Sequence, residues 1–273
     1  MNVFITGASG GLGRTLANEC AKRGYNLFLT DLNEQGLKAI QRGLERQFGS
    51  TITTAACDLT SDACVDELLT KIDALGIRFD MLLNVAGLDF EGGFLERQRR
   101  DIIRIISLNN EATLRVTHAI LSRRREGNPF YLLFTSSLAS MYPMPLKATY
   151  AASKRFLLDI AVALREELKD KGVQVLALCP GGLATTREAM RGIAAQGFWG
   201  GATTNALELV STNTIKRLLK RGGIYVPGVI NQVLTFFGKL LPRRWVAAAI
   251  YQRWNKAQQQ WKPVQCSAEM PTL

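Results

Sequence analysis

Short apolar runs alternate with stretches of helical periodicity along the first 228 residues, and this alternation limits the architecture more than any single motif does. Strands are expected at residues 3–5, 25–31, 51–56, 80–85, 130–135, 173–179 and 224–226. Helices are expected at residues 15–23, 33–46, 62–75, 99–125, 150–168 and 206–220. A strand, a helix and a second strand join readily as a right-handed crossover between parallel strands. Repeated crossovers place helices on both faces of the sheet. The expected fold class is α/β, a doubly wound and mostly parallel sheet with helices on both faces and a C-terminal helical extension. A chain of 273 residues with 47% hydrophobic content buries a core of that kind without covalent staples.

In such sheets ligands bind outside the carboxyl ends of the strands. The first strand, Val3-Phe4-Ile5, ends there in Thr6-Gly7-Ala8-Ser9-Gly10-Gly11-Leu12-Gly13, followed by a helix. Glycines let backbone approach a pyrophosphate, and the helix N-terminus offers free N–H groups and a positive dipole end. An ordinary tight turn has the same composition. The second strand ends in Asp31, 18 residues after Gly13. A carboxylate at that place accepts hydrogen bonds from the adenosine ribose hydroxyls of NAD and repels the 2′-phosphate of NADP. It can also cap the helix that follows, a role open equally to Asn33. NAD is the expected cofactor, with NADP the less favoured alternative.

The stretch from Ser137 to Lys154 holds the expected chemistry. Tyr150 and Lys154 lie four apart at the start of a helix and share one face. A phenol has a pKa of about 10 in water, and a neighbouring ammonium pulls that value toward neutrality. Such a phenol can pass a proton to or from an alcohol or carbonyl oxygen. Ser137, at the end of the fifth strand, can offer a hydroxyl to the same oxygen. Alone, a Tyr and a Lys at this spacing read better as a solvated helix face. The features before and after them in the chain decide between the two.

Those features together resemble the short-chain dehydrogenase/reductase family over residues 2–228. Thr6-Gly7-Ala8-Ser9-Gly10-Gly11-Leu12-Gly13 is similar to the family's Thr-Gly-x-x-x-Gly-x-Gly turn. Asn84-Val85-Ala86-Gly87 is similar to its Asn-Asn-Ala-Gly turn, with Val85 a departure. Ser137, Tyr150 and Lys154 have the family's spacings of 13 and 4, and Asn109 stands where the family has a catalytic asparagine. The resemblance implies a Rossmann-like domain over residues 1–228, with residues 229–273 a basic amphipathic extension. It implies an oxidoreductase interconverting an alcohol and a carbonyl by hydride transfer. Catalytic roles then fall to Asn109, Ser137, Tyr150 and Lys154: Tyr150 as general acid or base, Lys154 lowering its pKa, Ser137 orienting the substrate oxygen, Asn109 holding a relay water. The implied cofactor contacts are Gly7, Ser9, Gly11, Leu12, Gly13, Asp31, Asp58, Asn84, Ala86, Gly87, Tyr150, Lys154, Pro180, Gly181, Leu183 and Thr185. Relatives in the family often form dimers or tetramers through the helices after the fourth and fifth strands, and a homo-oligomer is expected here.

Other function classes fare worse. Gly7-Ala8-Ser9-Gly10-Gly11 spells the Gly-x-Ser-x-Gly elbow of serine hydrolases, but that mechanism needs a late histidine. The single histidine is His118, inside a helical pattern in the first half of the chain. A dinucleotide sensor without turnover is the main alternative, disfavoured because Tyr and Lys both stand at the catalytic positions. The five cysteines are scattered with no metal spacing, and no metal site is expected. They suit a reducing cytoplasm, and the chain opens directly on a strand with no room for a signal peptide.

The charge is uneven. Residues 215–273 hold ten basic residues and one acid, Glu269, for +9 of the chain's +11. No recognition motif for nucleic acid accompanies this charge. Val229, Ile230, Val233, Leu234, Phe236, Phe237, Leu240 and Leu241 fall at helical spacing up to Pro242. This helix packs on the fold or roofs the substrate pocket, its basic residues simply solvated, or else anchors the chain peripherally on anionic membrane, with an apolar, lipid- or steroid-like substrate. Phe198 and Trp199 are candidates to cover the substrate, as are Met144 and Met190.

Overall fold

The computed structural model describes residues 1–185, 190, 191, 193, 194 and 197–266. Seven parallel strands make the main sheet: β1 (Asn2–Thr6), β2 (Asn26–Asp31), β3 (Ile52–Ala56), β4 (Met81–Asn84), β5 (Phe130–Thr135), β6 (Val173–Leu178) and β9 (Gly223–Tyr225). Their order is β3-β2-β1-β4-β5-β6-β9. A small second sheet pairs β7 (Gly182–Leu183) with β8 (Thr204–Asn205), and helix α7 (Gly197–Thr203) leads into β8. The strands are apolar almost throughout because both faces are covered. Val3, Ile5, Leu27, Leu29, Met81 and Leu83 face one layer with α1 (Gly11–Lys22), α2 (Glu34–Phe48) and α8 (Leu207–Lys220). Phe4, Phe28 and Leu82 face the other, with α3 (Asp62–Ala74), α5 (Thr113–Leu121) and α6 (Ala148–Leu168). The period of two along each strand makes this division. Phe4 stacks on Phe28 at 5.3 Å, and Phe79 closes on Phe4 edge-on at 5.4 Å.

Between β1 and β4 the strand order reverses, which is where a doubly wound sheet opens a crevice at its carboxyl edge. The Thr6 hydroxyl accepts hydrogen bonds there from the backbone N–H of Val85 (3.0 Å) and Ala86 (3.1 Å). The turn after β1 is thereby tied to the turn after β4. Gly7 has φ +63°, and a Cβ on it would lie 2.7 Å from the Ala86 backbone. A side chain would push the two turns apart.

Two expected helices differ from those observed. Helix α1 begins at Gly11, not residue 15, so the turn's last glycines form its first turn. The expected helix over residues 99–125 is α4 (Arg99–Ile106), a π-helical segment over Ser107–Ala112, and α5. It ends at Leu121, beyond which the backbone pairs with Phe79 instead: Phe79 N donates to Arg123 O (3.0 Å) and Arg125 N to Phe79 O (2.8 Å). His118 is exposed on α5.

Beyond Gly228 two helices follow, α9 (Val229–Leu240) and α10 (Arg243–Cys266), broken at Pro242 as its missing N–H requires. Helix α9 docks through the fully buried Asn231, whose Nδ2 donates to Pro227 O (2.8 Å), Thr203 O (3.2 Å) and Asn205 Oδ1 (3.2 Å). Gly238 lies against the Tyr142 ring with no room for a Cβ. The extension packs on the strand ends.

The junction of the two turns gives a stability prediction. Gly7→Ala meets both a positive φ and the Ala86 backbone, whereas Gly24→Ala has φ +74° and nothing within 4 Å. The Gly24 variant should cost about 1–2 kcal/mol of backbone strain, and the Gly7 variant clearly more. Urea unfolding of both checks this, and equal losses would mean that the turns are not in contact.

Candidate active site

Helix α6 and strand β5 carry the centre of the site. Lys154 is only 4% exposed, and its Nζ donates to Thr135 O at the end of β5 (2.9 Å). The Ser136 hydroxyl returns a bond to Lys154 O (2.7 Å). One turn earlier, the Lys154 ammonium sits 5.7 Å from the centre of the Tyr150 ring. The Tyr150 hydroxyl is hydrogen-bonded to Ser137, whose Oγ also accepts from Ala139 N (3.1 Å). Leu138 N donates to Pro180 O (2.7 Å), joining this segment to the turn after β6.

The π segment supplies two buried asparagines that brace α6. Asn109 Nδ2 donates to Ser153 Oγ (2.9 Å) and Leu88 O (3.0 Å), and its Oδ1 accepts from Leu88 N (2.7 Å). Asn110 Nδ2 donates to Ser153 O (2.9 Å). Asparagine is a poor helix former, and both here hold a specific partner. A Cβ on Gly87 would lie 3.1 Å from both Asn109 Oδ1 and Lys154 Nζ, so these three residues meet.

The expected pKa of Tyr150 is reversed. Burial pushes the phenol up to about 12, and the charge of Asp89 raises it further against the Ser137 hydrogen bond and Lys147. Lys154 does not pull it down. Burial drives Lys154 itself down to about 8, against the opposing charge of Asp89. Loss of water outweighs the single neighbouring charge. At neutral pH Tyr150 therefore holds its proton.

Lys147 has no counterpart in the sequence reading. Its Nζ pairs with Asp89 Oδ2 (2.6 Å) and Glu91 Oε2 (3.4 Å) and lies 5.6 Å from the Tyr150 ring centre. Burial lowers its pKa, but Asp89 and Glu91 outweigh that and the net shift is upward. Trp254 of α10 covers the same ammonium at 5.1 Å. The preceding Leu146 has φ +67°, the one non-glycine residue with positive φ among those described. Its carbonyl accepts from Gly92 N (2.8 Å), which holds this uncommon conformation across the site.

On the dinucleotide side of the crevice the glycine turn is packed too closely for side chains. A Cβ on Gly13 would overlap the Gly7 carbonyl, and one on Gly11 would lie 2.8 Å from Thr185 Cβ. Leu12 is buried behind the turn. Asp31 Oδ2 accepts from Ser9 N (3.0 Å) and its Oδ1 from Asn33 N (3.1 Å). The cap of α2 is Asn33, which accepts from Gly36 N (2.9 Å). Asp58 Oδ1 accepts from the Thr60 hydroxyl (2.6 Å) and N–H (2.9 Å), which hold its carboxyl below the usual range. The Asn84 side chain turns inward and donates to Thr117 Oγ1 (2.9 Å), leaving the backbone of Val85, Ala86 and Gly87 on the crevice side. Gly181 stands between β6 and the second sheet, Leu183 lies in β7 of that sheet, and Thr185 N donates to Leu183 O (2.8 Å).

These parts enclose a cavity of about 930 Å³. Gly87, Ser137, Tyr150, Lys154 and Thr185 line its floor, and Leu234, Phe237, Leu241, Ile250 and Trp254 line its roof. The first extension helix thus roofs the pocket. Met144 lines it as well, Met190 is exposed, and the side chains of Phe198 and Trp199 lie outside the described residues. No metal-binding group of His, Cys, Asp or Glu occurs among the described residues.

The sequence profile for short chain dehydrogenases matches residues 1–193. The chain belongs to the short-chain dehydrogenase family. As a member it is an NAD(P)-dependent oxidoreductase acting between alcohol and carbonyl groups. It is 28% identical over 261 residues to a very-long-chain 3-oxoacyl-CoA reductase from Rattus norvegicus, covering 93% of this chain and 79% of that protein. It is 35% identical over 178 residues to the one from Neurospora crassa, covering 63% and 52%. The chain thus spans from about half to four-fifths of the length of these two reductases. Among solved structures, a short-chain dehydrogenase from Sphingobium yanoikuyae in complex with NADPH aligns with TM-score 0.72 and 25% identity, over 87% of this chain and 92% of that one. A 3-oxoacyl-[acyl-carrier protein] reductase from Brucella melitensis with bound NAD aligns with TM-score 0.71 and 24% identity, over 83% and 89%, a likeness of fold. A dehydrogenase with its Tyr and Lys in place gives the sensor reading no support.

Burial of Lys154 makes stability depend on pH. Its folded pKa of about 8 lies below the unfolded value of 10.5. Between the two, the unfolded chain binds more protons, so the penalty is full below pH 8 and fades as pH rises through 10.5. Lys154→Met removes the penalty and loses one hydrogen bond. It should be more stable than wild type at pH 7 by about 1–3 kcal/mol, with turnover lost. The advantage should close near pH 10.5. A stability difference that does not change with pH would show that Lys154 pays nothing for its burial.

Proposed function

We propose that this dehydrogenase uses NADH to reduce the 3-oxo group of a long-chain acyl thioester to a hydroxyl. The observation that carries the assignment is the pair of hydroxyls, Tyr150 and Ser137, set together under a largely apolar roof. A protonated phenol there can give its proton to a carbonyl oxygen, and the reductases among the chain's relatives support that direction. The 3-oxoacyl-CoA reductases among its relatives support the substrate class.

The residues fit a nicotinamide dinucleotide. Gly7, Gly11 and Gly13 let the turn pack closely on Ala86, Thr185 and the Gly7 carbonyl, and the start of α1 that this turn forms would offer its backbone N–H groups to a pyrophosphate. Ser9, Leu12, Ala86 and Gly87 flank it, and Asp31 and Asp58 face the adenosine end. Pro180, Gly181, Leu183 and Thr185 would hold the nicotinamide end, and Lys154 its ribose. Bound there, the cofactor supplies the hydride. Ser137 and Tyr150 hold the substrate's carbonyl oxygen between two hydroxyls. Tyr150 gives its proton to that oxygen as the carbon receives the hydride, so hydride and proton together make the alcohol. Lys154, buried beside Asn109, hands a proton back toward the phenolate through a water held at Asn109. Asn84 contributes by holding the turn in shape through Thr117.

The choice of NADH rests on Asp31, whose carboxylate stands against Ser9 at the end of β2. A second reading, NADPH, has the exposed Arg14 in its favour, since its guanidinium bonds Ser9 O (3.3 Å) on the same turn. Exposed Ile103, Ile106 and Leu114 on α4 to α5, and Phe156 and Val162 on α6, support a homo-oligomer built through those helices.

Oxidation of NADH by long-chain 3-oxoacyl-CoA, set against short-chain thioesters and ketosteroids, tests the substrate. The long-chain thioester should have the highest kcat/KM. Cofactor binding with no turnover of any of them would return the sensor reading. Tyr150→Phe should lose more than about 100-fold in kcat while binding NADH nearly as wild type. A loss within about tenfold, some 1.4 kcal/mol of barrier, removes Tyr150 from its role.

Asp31→Ala should weaken NADH more than NADPH, because it deletes ribose hydrogen bonds and relieves repulsion of the 2′-phosphate. Equal weakening, measured by fluorescence titration, would leave Asp31 with the Ser9 turn alone.

A further inference from the structure

Helix α9 is built inside out. On ordinary surface helices the apolar stripe faces the core and the polar face meets water. Here the polar Asn231 and Thr235 are buried, while Val229, Val233, Phe236 and Leu240 point outward. Phe236 is 63% exposed and Leu240 67%. Just past Pro242, Trp245 is 59% exposed beside the exposed Arg243 and Arg244. Residues 229–266 contain six Lys and Arg and no Asp or Glu.

We propose that the outer face of α9 and the start of α10 form a docking surface for an anionic lipid membrane. Aliphatic and aromatic side chains flanked by arginines suit the headgroup region, where the carbons leave water and the guanidinium groups meet lipid phosphates. Tryptophan favours that boundary. No helix among the described residues is long and apolar enough to cross the bilayer, so contact is peripheral. A second copy of this chain fits worse. A two-fold interface sets each patch against itself, which would bring Arg243 and Arg244 of both copies together with no acid in this segment to separate them. Nucleic acid would take the arginines and leave the exposed phenylalanine and leucine in water.

The same helix separates lipid from the catalytic cavity. Leu234 and Phe237 line the cavity from α9, while Phe236 and Leu240 lie outside. An acyl chain leaving the bilayer would pass this roof without crossing bulk water. That step rests on the long-chain acyl substrate proposed above; the docking surface does not.

The test is co-sedimentation of the full chain with vesicles of phosphatidylcholine alone and of phosphatidylcholine with phosphatidylglycerol. The full chain should pellet with the anionic vesicles at low salt at least tenfold more than with neutral ones. Two sets of substitutions avoid the cavity lining: Phe236→Ser with Leu240→Ser and Trp245→Ser, and Arg243→Glu with Arg244→Glu. Each set should lower the vesicle partition coefficient roughly tenfold or more. Circular dichroism and turnover of a water-soluble short-chain 3-oxoacyl thioester should be unchanged in both, which shows an intact fold and roof. Full chain left in the supernatant with anionic vesicles at low salt overturns the proposal. So does wild-type pelleting of the serine set, or an oligomer in light scattering that the serine set dissolves. Binding requires no turnover, so failure on every 3-oxoacyl thioester would defeat the substrate assignment and leave docking standing, with circular dichroism alone then reporting the fold.

Discussion

A single buried ammonium, that of Lys154, dictates much of the architecture around the site. Removing such a charge from water is costly unless its N–H groups find partners. The end of β5 provides one at Thr135 O, and the following residue, Ser136, ties its hydroxyl back to the Lys154 carbonyl. The helix is thus fastened to the strand at the residue that must not move. On its far side Ser153 is held by Asn109 and Asn110 from the π segment. From that wider turn two consecutive asparagines both reach α6. A local departure from helical geometry and a buried charge therefore belong to one arrangement.

Acid and base are distributed around this ammonium with a consistent sign. Asp89 raises the Tyr150 phenol further and opposes the larger fall that burial imposes on Lys154. Asp89 does not stand as a free negative charge over the cavity, because Lys147 pairs with it at 2.6 Å. Lys147 in turn touches the ring of Tyr150 and is covered by Trp254 from the extension. The C-terminal helices are connected to the proton donor by two contacts. The roof therefore bears on the electrostatics of the site as well as its shape.

The repeating strand and helix pattern was legible because strands buried on both faces must be apolar nearly throughout, as Phe4-Ile5 and Leu132-Leu133 are. Gly7 and Gly13 were legible because their positions tolerate no side chain. Tyr150 and Lys154 stood out only together with the glycine turn, the Asn84 turn and Ser137, since their four-residue spacing alone also suits a solvated helix face. What could not be read depends on distances across the fold. The pairing of Lys147 with Asp89 spans 58 residues, and in the chain both look like ordinary solvated charges. The direction of the Tyr150 pKa depends on how much water the folded wall removes, which the four-residue spacing does not encode. The start of α1 was set too late because glycine at Gly11 and Gly13 is unfavourable in a helix by propensity, and close approach to Gly7 overrides that preference.

The extension shows how periodicity can be read correctly and its direction still remain open. Apolar residues at helical spacing in α9 are compatible with packing inward or facing outward, and the structure uses both. Leu234 and Phe237 turn to the cavity, and Val233, Phe236 and Leu240 turn away. What orients the helix is its few polar and small residues. Asn231 has three carbonyl acceptors waiting at Pro227, Thr203 and Asn205. Gly238 alone allows the Tyr142 ring to approach the helix backbone. With those two residues facing inward, geometry sends most of the remaining apolar side chains outward. Exposed carbon is therefore a consequence of how the helix is fastened. A chain that fastens a roof in this way leaves its outer surface to be covered by something other than itself.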